Sequence, residues 1–397
     1  MVHMSTPEAA RPPDDTGRQI MIVAGEASGD LHGAHLVQAM RELEPGLRFC
    51  GLGGRELKAA GVEILYDAAR LAVVGLTEVI SHLGDLLAAR RILLKRMRER
   101  QPALLILIDF PDFNLLLAAK AKKLGIPVFY YISPQVWAWR SGRVRKIGRL
   151  ADRIGVILPF EQEFYHRRGV QVDFVGHPLM DSVHATMSRD EFLAGRSIDP
   201  DKVVVGLLPG SRKKEIISLL PPFLAAARLL TERSGQNFVF LLPRASTISP
   251  ELLEENGVGR YRDSLDLRVI DEKRYDLMAA CDAVVVASGT VTLELAILGV
   301  PTVVTYRFSP RTYHLGRLLI KLQWFSLVNL IAGRTVIPEL LQAQVTPDNI
   351  ARELRVLLED REARATMLRG LAEVREKLGG PGASRRAARI ALNIAKR

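Results

Sequence analysis

The chain has 397 residues, of which 48% are hydrophobic and 25% charged, so it is a globular chain of two or three domains and not a disordered or fibrous one. The net charge of +11 indicates anionic partners such as nucleotides, phosphosugars or acidic lipid headgroups. Aromatic residues make up only 6%, which argues against a nucleic-acid partner. The two cysteines, Cys50 and Cys281, exclude a disulfide framework and a cysteine-based metal site, and they fit a reducing cytosol.

The amino-terminal 18 residues are polar and contain proline, so we expect a flexible leader without the apolar stretch of a secretory signal. No apolar run approaches the roughly 18 to 20 uninterrupted residues that span a bilayer. The sequence therefore predicts a cytoplasmic protein that can still lie against a membrane surface.

Short apolar runs alternate with helical patterns along most of the chain, which predicts parallel sheets covered by helices on both faces. The first helix is expected from Asp30, as its N-cap, to Leu43. The pattern restarts after a polar junction at about residues 180–201. We predict an α/β fold with two Rossmann-like domains facing a cleft, residues 19–185 and 186–397, the second ending in a helical segment from residue 347. The predicted strands are 19–24, 104–108, 128–132, 153–158, 172–175, 203–209, 237–243, 267–270, 283–287 and 301–306.

Two strand ends in the second half carry residues that suit a nucleotide diphosphate. After residues 283–287 come Ser288, Gly289 and Thr290, where a glycine and a helix start favour close approach of phosphate. Glu294, one turn into that helix, could bind a ribose diol. The alternative is an ordinary helix cap followed by a solvated acid.

The second of these strand ends, after residues 203–209, supplies Ser211 and Arg212. A hydroxyl and a guanidinium can bind a diphosphate. The loop lacks the lysine of a P-loop, however, and the alternative is a plain turn. Both loops belong to the same edge of one predicted sheet, which favours a shared ligand.

In the first half, the loop after the first strand contains Glu26, Ser28, Gly29 and Asp30. Its glycines let a phosphate or sugar approach the backbone, but they do not form the dinucleotide fingerprint. The alternative is a strand–helix turn capped by Asp30.

Asp109 stands where the apolar strand 104–108 ends, before Pro111. A carboxylate beside apolar side chains can have a raised pKa and act as a general base toward a substrate hydroxyl. The alternative is that Asp109 is a turn residue whose hydrogen bonds are made within the fold. The neighbouring Asp112 and Asn114 are more typical of helix caps.

Two further segments combine apolar or aromatic residues with basic ones. Trp139 and Arg140 begin a basic stretch that suits an anionic headgroup or phosphosugar, or simply forms a solvated helix face. An apolar segment over residues 71–87 precedes basic residues, an arrangement typical either of a membrane interface or of a core helix with an exposed flank. Its candidate membrane residues are Val74, Leu76, Val79, Arg90 and Arg91.

Long motifs in one order over residues 20–392 resemble the lipid-A-disaccharide synthase family. They are VAGEASGDLHG, IDFPDFN, YYISPQVWAWR with RVRKIGR, FVGHPLMD, LLPGSR, ASGTVTLE and VNLIAGR. One departure is Ala27, where many relatives are expected to carry a hydroxyl residue.

The resemblance implies an inverting, B-type glycosyltransferase that joins UDP-2,3-diacylglucosamine to 2,3-diacylglucosamine 1-phosphate, giving the β-1,6-linked disaccharide 1-phosphate and UDP. It implies no metal or other cofactor, and the sequence has no D-x-D motif or His/Cys ligand cluster. It adds Asn329 and Arg334 to the nucleotide side and His177 to the acceptor side. It also implies contact with the inner leaflet and a homodimer with exchanged C-terminal segments.

Two other functions compete with this interpretation. Another B-type enzyme on UDP-N-acetylglucosamine, either a 2-epimerase or a transferase with a soluble acceptor, would use the same second-half loops. A basic, non-catalytic RNA- or lipid-binding protein fits the charge but leaves the carboxylates at strand ends unexplained.

Overall fold

The computed structural model describes residues 17–71, 83–139, 141–307 and 323–396. Its strands form two separate sheets, a seven-stranded one from the first half and a six-stranded one from the second. The first contains β1 (Gln19–Ala24), β2 (Arg48–Gly53), β3 (Glu63–Asp67), β4 (Leu104–Ile108), β5 (Val128–Tyr131), β6 (Arg153–Val156) and β7 (Asp173–Phe174). The second contains β8 (Val203–Leu208), β9 (Phe238–Pro243), β10 (Leu267–Ile270), β11 (Ala283–Ala287), β12 (Thr302–Tyr306) and β13 (Glu339–Leu341).

Both sheets have the doubly wound order of a Rossmann fold. The first runs β3-β2-β1-β4-β5-β6-β7 and the second β10-β9-β8-β11-β12-β13. All the pairings are parallel. The central strands are buried along nearly their whole length because helices cover both faces, which is why they appear in the sequence as continuous apolar runs.

Helices connect the strands and cover the sheets. In the first half they are α1 (Ala27–Leu43), α2 (Arg55–Ala59), α3 (Leu83–Arg100), α4 (Pro111–Lys123), α5 (Val136–Trp139), α6 (Val144–Leu150), α7 (Pro159–His166), α8 (Leu179–Ser182) and α9 (Arg189–Ala194). In the second they are α10 (Lys213–Ser234), α11 (Pro250–Glu255), α12 (Val258–Tyr261), α13 (Arg274–Ala280), α14 (Val291–Leu298), α15 (Leu327–Ala332), α16 (Pro347–Glu359), α17 (Arg361–Lys377) and α18 (Ala383–Ala395). Within the described residues, three short 3₁₀ turns occupy Ala68–Arg70, Ser141–Arg143 and Gln342–Gln344.

The last helix, α18, returns to the first half and packs on α1 and on the first sheet. Arg386 of α18 donates from Nε to the carbonyl oxygen of Val175 at 2.8 Å, and the amide of His177 donates to the carbonyl of Leu378 at 2.9 Å. These bonds join the segment that follows β7 to α18 and the segment just before it.

The α/β class with two Rossmann-like halves is confirmed, and each of the ten predicted strands is present within a residue or two of its expected ends. Strands β2, β3 and β13 were not predicted. The predicted start of the first helix at Asp30 was wrong, because α1 begins at Ala27 with Glu26 as N-cap. Among the described helices, none has the length and hydropathy that crossing a membrane requires.

Candidate active site

Asp109 lies at the carboxyl edge of the first sheet, directly after β4. Strands β1 and β4 are neighbours that end level with each other, so the loop bearing Glu26 adjoins the loop bearing Asp109. Asp109 and Phe110 both have left-handed backbone, with φ of +42° and +45°. Non-glycine residues rarely adopt this conformation outside sites where the surroundings enforce it.

Two side chains enforce that backbone. Asn114 donates from Nδ2 to the carbonyl oxygens of Ile108 at 3.1 Å and Asp109 at 2.8 Å, and the Tyr130 hydroxyl donates to the Asp109 carbonyl at 2.8 Å. Asn114 therefore holds the strand-to-helix turn. The expectation that Asp112 and Asn114 cap this helix was wrong, because Phe110 is the N-cap and no side chain caps it.

The environment of Asp109 raises the pKa of its carboxyl group to about 6. Burial is the main cause, and the charge of Glu26 adds to it, while the Phe110 amide opposes both by hydrogen bonding to the carboxylate. A carboxylate with this pKa is ionised near neutrality and remains basic enough to accept a proton from a hydroxyl.

Gly25 is required by the same turn. A Cβ added there would lie 2.5 Å from Cδ1 of Phe110, which is closer than any real contact. The glycine that ends β1 therefore makes room for the ring beside Asp109.

The other predicted acceptor residues of this loop differ in exposure. Glu26 and Ser28 are exposed, whereas Gly29 and Asp30 are buried. Asp30 accepts hydrogen bonds from the amides of Gly54 at 2.6 Å, Glu56 at 2.8 Å and Leu57 at 3.2 Å. Its carboxylate therefore satisfies the first turn of α2 and does not cap α1, and its contact with a ligand stays a prediction.

His177 is buried, and its Nδ1 accepts the amide hydrogen of Leu179 at 3.2 Å. Burial lowers the pKa of His177 to about 3, so its imidazole is neutral. Arg140 and the side chain of Trp139 lie outside the described residues.

A cavity of about 660 Å³ opens at the carboxyl edge of the second sheet. It is large enough for a nucleotide-sized ligand. Six of the predicted nucleotide-binding residues line it together: Ser211, Arg212, Ser288, Gly289, Thr290 and Glu294. A Cβ added at Gly289 would meet no protein atom within 4 Å, so this backbone faces open space.

Glu215 organises the loop that contains Ser211 and Arg212. Its Oε2 accepts the amide hydrogens of Ser211 at 2.9 Å and Arg212 at 3.1 Å, and its Oε1 accepts from the Arg212 guanidinium at 3.1 Å. Gly210, with φ of +113°, completes the turn, and a Cβ there would collide with the Glu215 carboxylate. Arg212 is thus held at the rim of the cavity by a carboxylate.

Glu294 is the most deeply buried acid of the cavity, at 4% exposure. Its Oε1 accepts from the Arg274 guanidinium at 2.7 Å, while its Oε2 has no hydrogen-bond partner among the described residues. Burial raises the pKa of Glu294, and the positive charge of Arg274 opposes that rise. A buried oxygen in this state is ready to accept a hydrogen bond from a ligand hydroxyl.

Sequence reasoning missed Arg244 and Arg274, which also line the cavity. Arg244 forms a two-pronged ion pair with Asp271, at 2.7 and 2.6 Å. The signal was available, because Arg244 follows β9 directly and Asp271 follows β10, at the edge where the other candidates were found.

The remaining nucleotide-side candidates do not line the cavity. Asn329 is fully buried and donates to the Ile337 carbonyl and to Glu339, while its Oδ1 accepts from the amides of Val336 and Ile337. Arg334 pairs with Glu373 at 2.6 Å. Their contact with a nucleotide stays a prediction.

The membrane candidates Val74, Leu76 and Val79 lie outside the described residues. Arg90 and Arg91 lie on α3, beside a groove of about 630 Å³ that Leu87, Leu94 and Lys95 also line. Leu87 is 49% exposed beside these basic residues. Within the described ranges, no three histidine, cysteine or acidic side chains are grouped as metal ligands would be.

Two Rossmann-like halves, with a nucleotide-sized cavity at one sheet edge and a basic carboxylate at the other, define the class as a B-type glycosyltransferase fold. Solved structures share this fold across almost the whole chain. The UDP-GlcNAc 2-epimerase of Neisseria meningitidis bound to UDP-GlcNAc superposes with a TM-score of 0.62 at 14% identity, covering 96% of this chain and 100% of that one. MurG of Acinetobacter baumannii does so with a TM-score of 0.60 at 15% identity, covering 95% and 99%.

The family model described as lipid-A-disaccharide synthetase matches residues 20–394. The lipid-A-disaccharide synthase of Syntrophus aciditrophicus is 52% identical over 95% of this chain and 98% of its own length. That of Geobacter sulfurreducens is 49% identical over 96% and 98%. The chain belongs to the lipid-A-disaccharide synthase family and is a glycosyltransferase of lipid A biosynthesis, which decides against the epimerase and the non-catalytic binding protein.

Proposed function

We propose that the enzyme transfers the sugar of UDP-2,3-diacylglucosamine to the 6-hydroxyl of 2,3-diacylglucosamine 1-phosphate. Residues 186–397 would bind the UDP-sugar, and residues 19–185 would bind the acceptor and face the membrane. The observation that carries the proposal is the 660 Å³ cavity, where the Ser211–Arg212 loop, the start of α14 and a buried carboxylate oxygen with no partner in the described part of the chain meet.

In this proposal Glu294 accepts a hydrogen bond from the ribose diol, and Gly289 and Thr290 at the start of α14 lie against the diphosphate. Arg212 exchanges part of its bonding to Glu215 for a bond to a phosphate oxygen. As the bond from the anomeric carbon to the β-phosphate oxygen breaks, negative charge grows on UDP, and a guanidinium and a helix start stabilise it.

Asp109 acts as the general base. The acceptor's 6-hydroxyl oxygen forms the new bond to the anomeric carbon while its proton passes to the Asp109 carboxylate. Attack from the face opposite UDP inverts the anomeric centre and gives the β-1,6 linkage. The raised pKa of Asp109 supports this role, because it makes the carboxylate a stronger base than a solvated aspartate.

The test is to incubate the purified protein with both acylated sugars and follow UDP and the disaccharide 1-phosphate together. We expect the two products in equal amounts, and no UDP release when the acceptor is omitted. UDP release without an acceptor, or transfer to a soluble acceptor alone, would contradict the proposal.

We also propose that the enzyme is peripheral on the cytoplasmic face of the inner membrane and dimerises by exchanging its C-terminal segments. The exposed Leu87 beside Arg91 and Lys95 supports the first part, since an apolar residue flanked by cations suits an anionic bilayer surface. Replacing Val74, Leu76 and Val79 together by serine is expected to reduce sedimentation with anionic vesicles. Unchanged sedimentation would exclude this surface.

A further inference from the structure

Helix α7 carries a buried acid that the proposed reaction does not use. Glu161 is 1% exposed. Its Oε1 accepts from the indole nitrogen of Trp137 at 3.2 Å, and its Oε2 accepts from the amide of Leu158 at 3.0 Å. Both oxygens are therefore bonded to parts of the chain that follow β5 and β6 at the carboxyl edge of the first sheet.

Tyr165 lies one turn further along α7 and makes a second contact with the same loop. Its hydroxyl hydrogen-bonds the hydroxyl of Ser133, which is also buried. Residues four apart lie on one face of a helix. Glu161 and Tyr165 thus hold the segment from Ser133 to Trp137 at both of its ends, and the Trp137 ring packs edge-to-face on Phe160 with centroids 5.0 Å apart.

This segment is joined to the proposed base. The amide of Asp109 donates to the carbonyl of Ile132 at 3.1 Å, and Ile132 has left-handed backbone with φ of +58°. The charge of Asp109 also reaches Glu161, where it raises the pKa of the buried carboxyl group, although burial is the main cause and brings that pKa to about 7. The segment therefore lies beside Asp109, at the edge of the first sheet where the proposed acceptor binds.

We propose that Glu161 is a positioning residue for the acceptor. Its bonds to Trp137 and Leu158 fix the Ser133–Trp137 segment beside Asp109. The inference rests on the proposed function, because it requires that the acylated acceptor binds at the first sheet. Glu161 is not among the residues that line the donor cavity, and the described lining residues all belong to the second half. Its loss should therefore affect the acceptor and leave the UDP-sugar unaffected.

The first variant is Glu161→Gln, which keeps the size of the side chain but puts an amide nitrogen against one of the two N–H donors. We expect the KM for the acceptor to rise about five- to tenfold, while the KM for the UDP-sugar and the Kd for UDP stay within about twofold. The matched control is Glu191→Gln, an exposed capping-box glutamate on α9, and it should change neither KM. Partial loss of folded protein lowers the rate without moving either KM, so this split separates positioning from simple destabilisation.

Trp137→Phe makes the test sharper, because it removes the indole donor and keeps an aromatic ring against Phe160. Trp137→Phe alone should raise the acceptor KM. Adding Glu161→Gln to it should raise the KM little further, because the new side-chain amide nitrogen at position 161 then no longer faces the indole N–H. Tyr165→Phe, which removes the bond to Ser133, should also raise the acceptor KM.

The outcomes separate the two proposals. If the unmodified enzyme makes no disaccharide from the acylated sugars, the proposed function fails. If it does, but Glu161→Gln leaves the acceptor KM unchanged, raises both KM values alike, or adds fully to Trp137→Phe, the positioning role is wrong.

Discussion

Candidate acids at the carboxyl edges of the two sheets differ in whether an arginine pairs with them. At the first edge, Asp109 and Glu161 have no ion pair with any described residue, and both pKa values are raised, to about 6 and about 7. At the second edge, acids and arginines are paired around the cavity. The pairs are Arg212–Glu215, Arg244–Asp271 and Arg274–Glu294, at 3.1, 2.6 and 2.7 Å.

The difference follows from the chemistry assigned to each edge. A proton acceptor gains basicity when its carboxylate is buried without a cation. An anion site needs guanidinium groups that are already oriented, and a carboxylate partner can hold them until a phosphate takes its place. In the proposed mechanism, one fold used twice therefore supplies a base in one half and a diphosphate site in the other.

The largest expected effect comes from Asp109→Asn. Because the amide cannot take a proton, kcat should fall about 10²- to 10⁴-fold. Thermal stability should move the other way. A raised pKa means that ionisation of Asp109 costs folding free energy; this cost accumulates as the pH rises from the ordinary value of 3.8 to about 6 and is complete above that.

The Tm of Asp109→Asn should therefore exceed that of the unmodified protein at pH 8, and the gap should shrink as the pH is lowered toward 4. Asp348→Asn, which breaks an exposed pair with Arg233, serves as the control and should show neither effect. Near-normal turnover by a folded Asp109→Asn protein would remove Asp109 as the base.

Arg212→Ala is expected to have an intermediate effect, raising the KM for the UDP-sugar about tenfold through loss of a charge-assisted bond to phosphate. The acceptor KM should not change. Arg228→Ala is a matched control, since Arg228 lies on α10, the helix that Arg212 precedes, and pairs at the surface with Glu232. Unaltered steady-state kinetics in Arg212→Ala would place Arg212 outside the site and weaken the contrast between the two edges.

Much of the fold could be predicted because parallel strands buried on both faces appear as continuous apolar runs. The missed strands lack that pattern. Strand β2 contains Arg48 and two glycines, β3 lies at an edge of its sheet with Glu63 and Asp67 exposed, and β13 has three residues. Their identity as strands depends on pairing with a neighbour, which the local sequence does not encode.

The candidate residues were predicted where a functional group follows a strand, directly as Ser288 and Asp109 do, or two residues later as Ser211 does. The same rule gives no information about what a polar side chain bonds to. Asp30 and Asn329 have their hydrogen bonds used within the fold, whereas Glu294 keeps one oxygen without a partner among the described residues. Only the three-dimensional arrangement separates these cases, because each partner amide or guanidinium comes from a different part of the chain.

The smallest expected effect concerns Glu26, and it tests the electrostatics of the first edge directly. The charge of Glu26 disfavours the ionised form of Asp109, so Glu26→Gln should lower the pKa of Asp109. The base must be ionised to act, so kcat/KM should fall as the pH drops through about 6 in the unmodified enzyme. In Glu26→Gln this fall should occur at lower pH, by a fraction of a pH unit.

The quantity to measure is the pH at which kcat/KM falls. The size of kcat/KM is not used, because Glu26 is also an acceptor-binding candidate. Glu42→Gln changes an exposed acid at the far end of the same helix and should leave the profile in place. A shift to higher pH, or the same shift in both variants, would show that Asp109 and Glu26 are not electrostatically coupled as the structure places them.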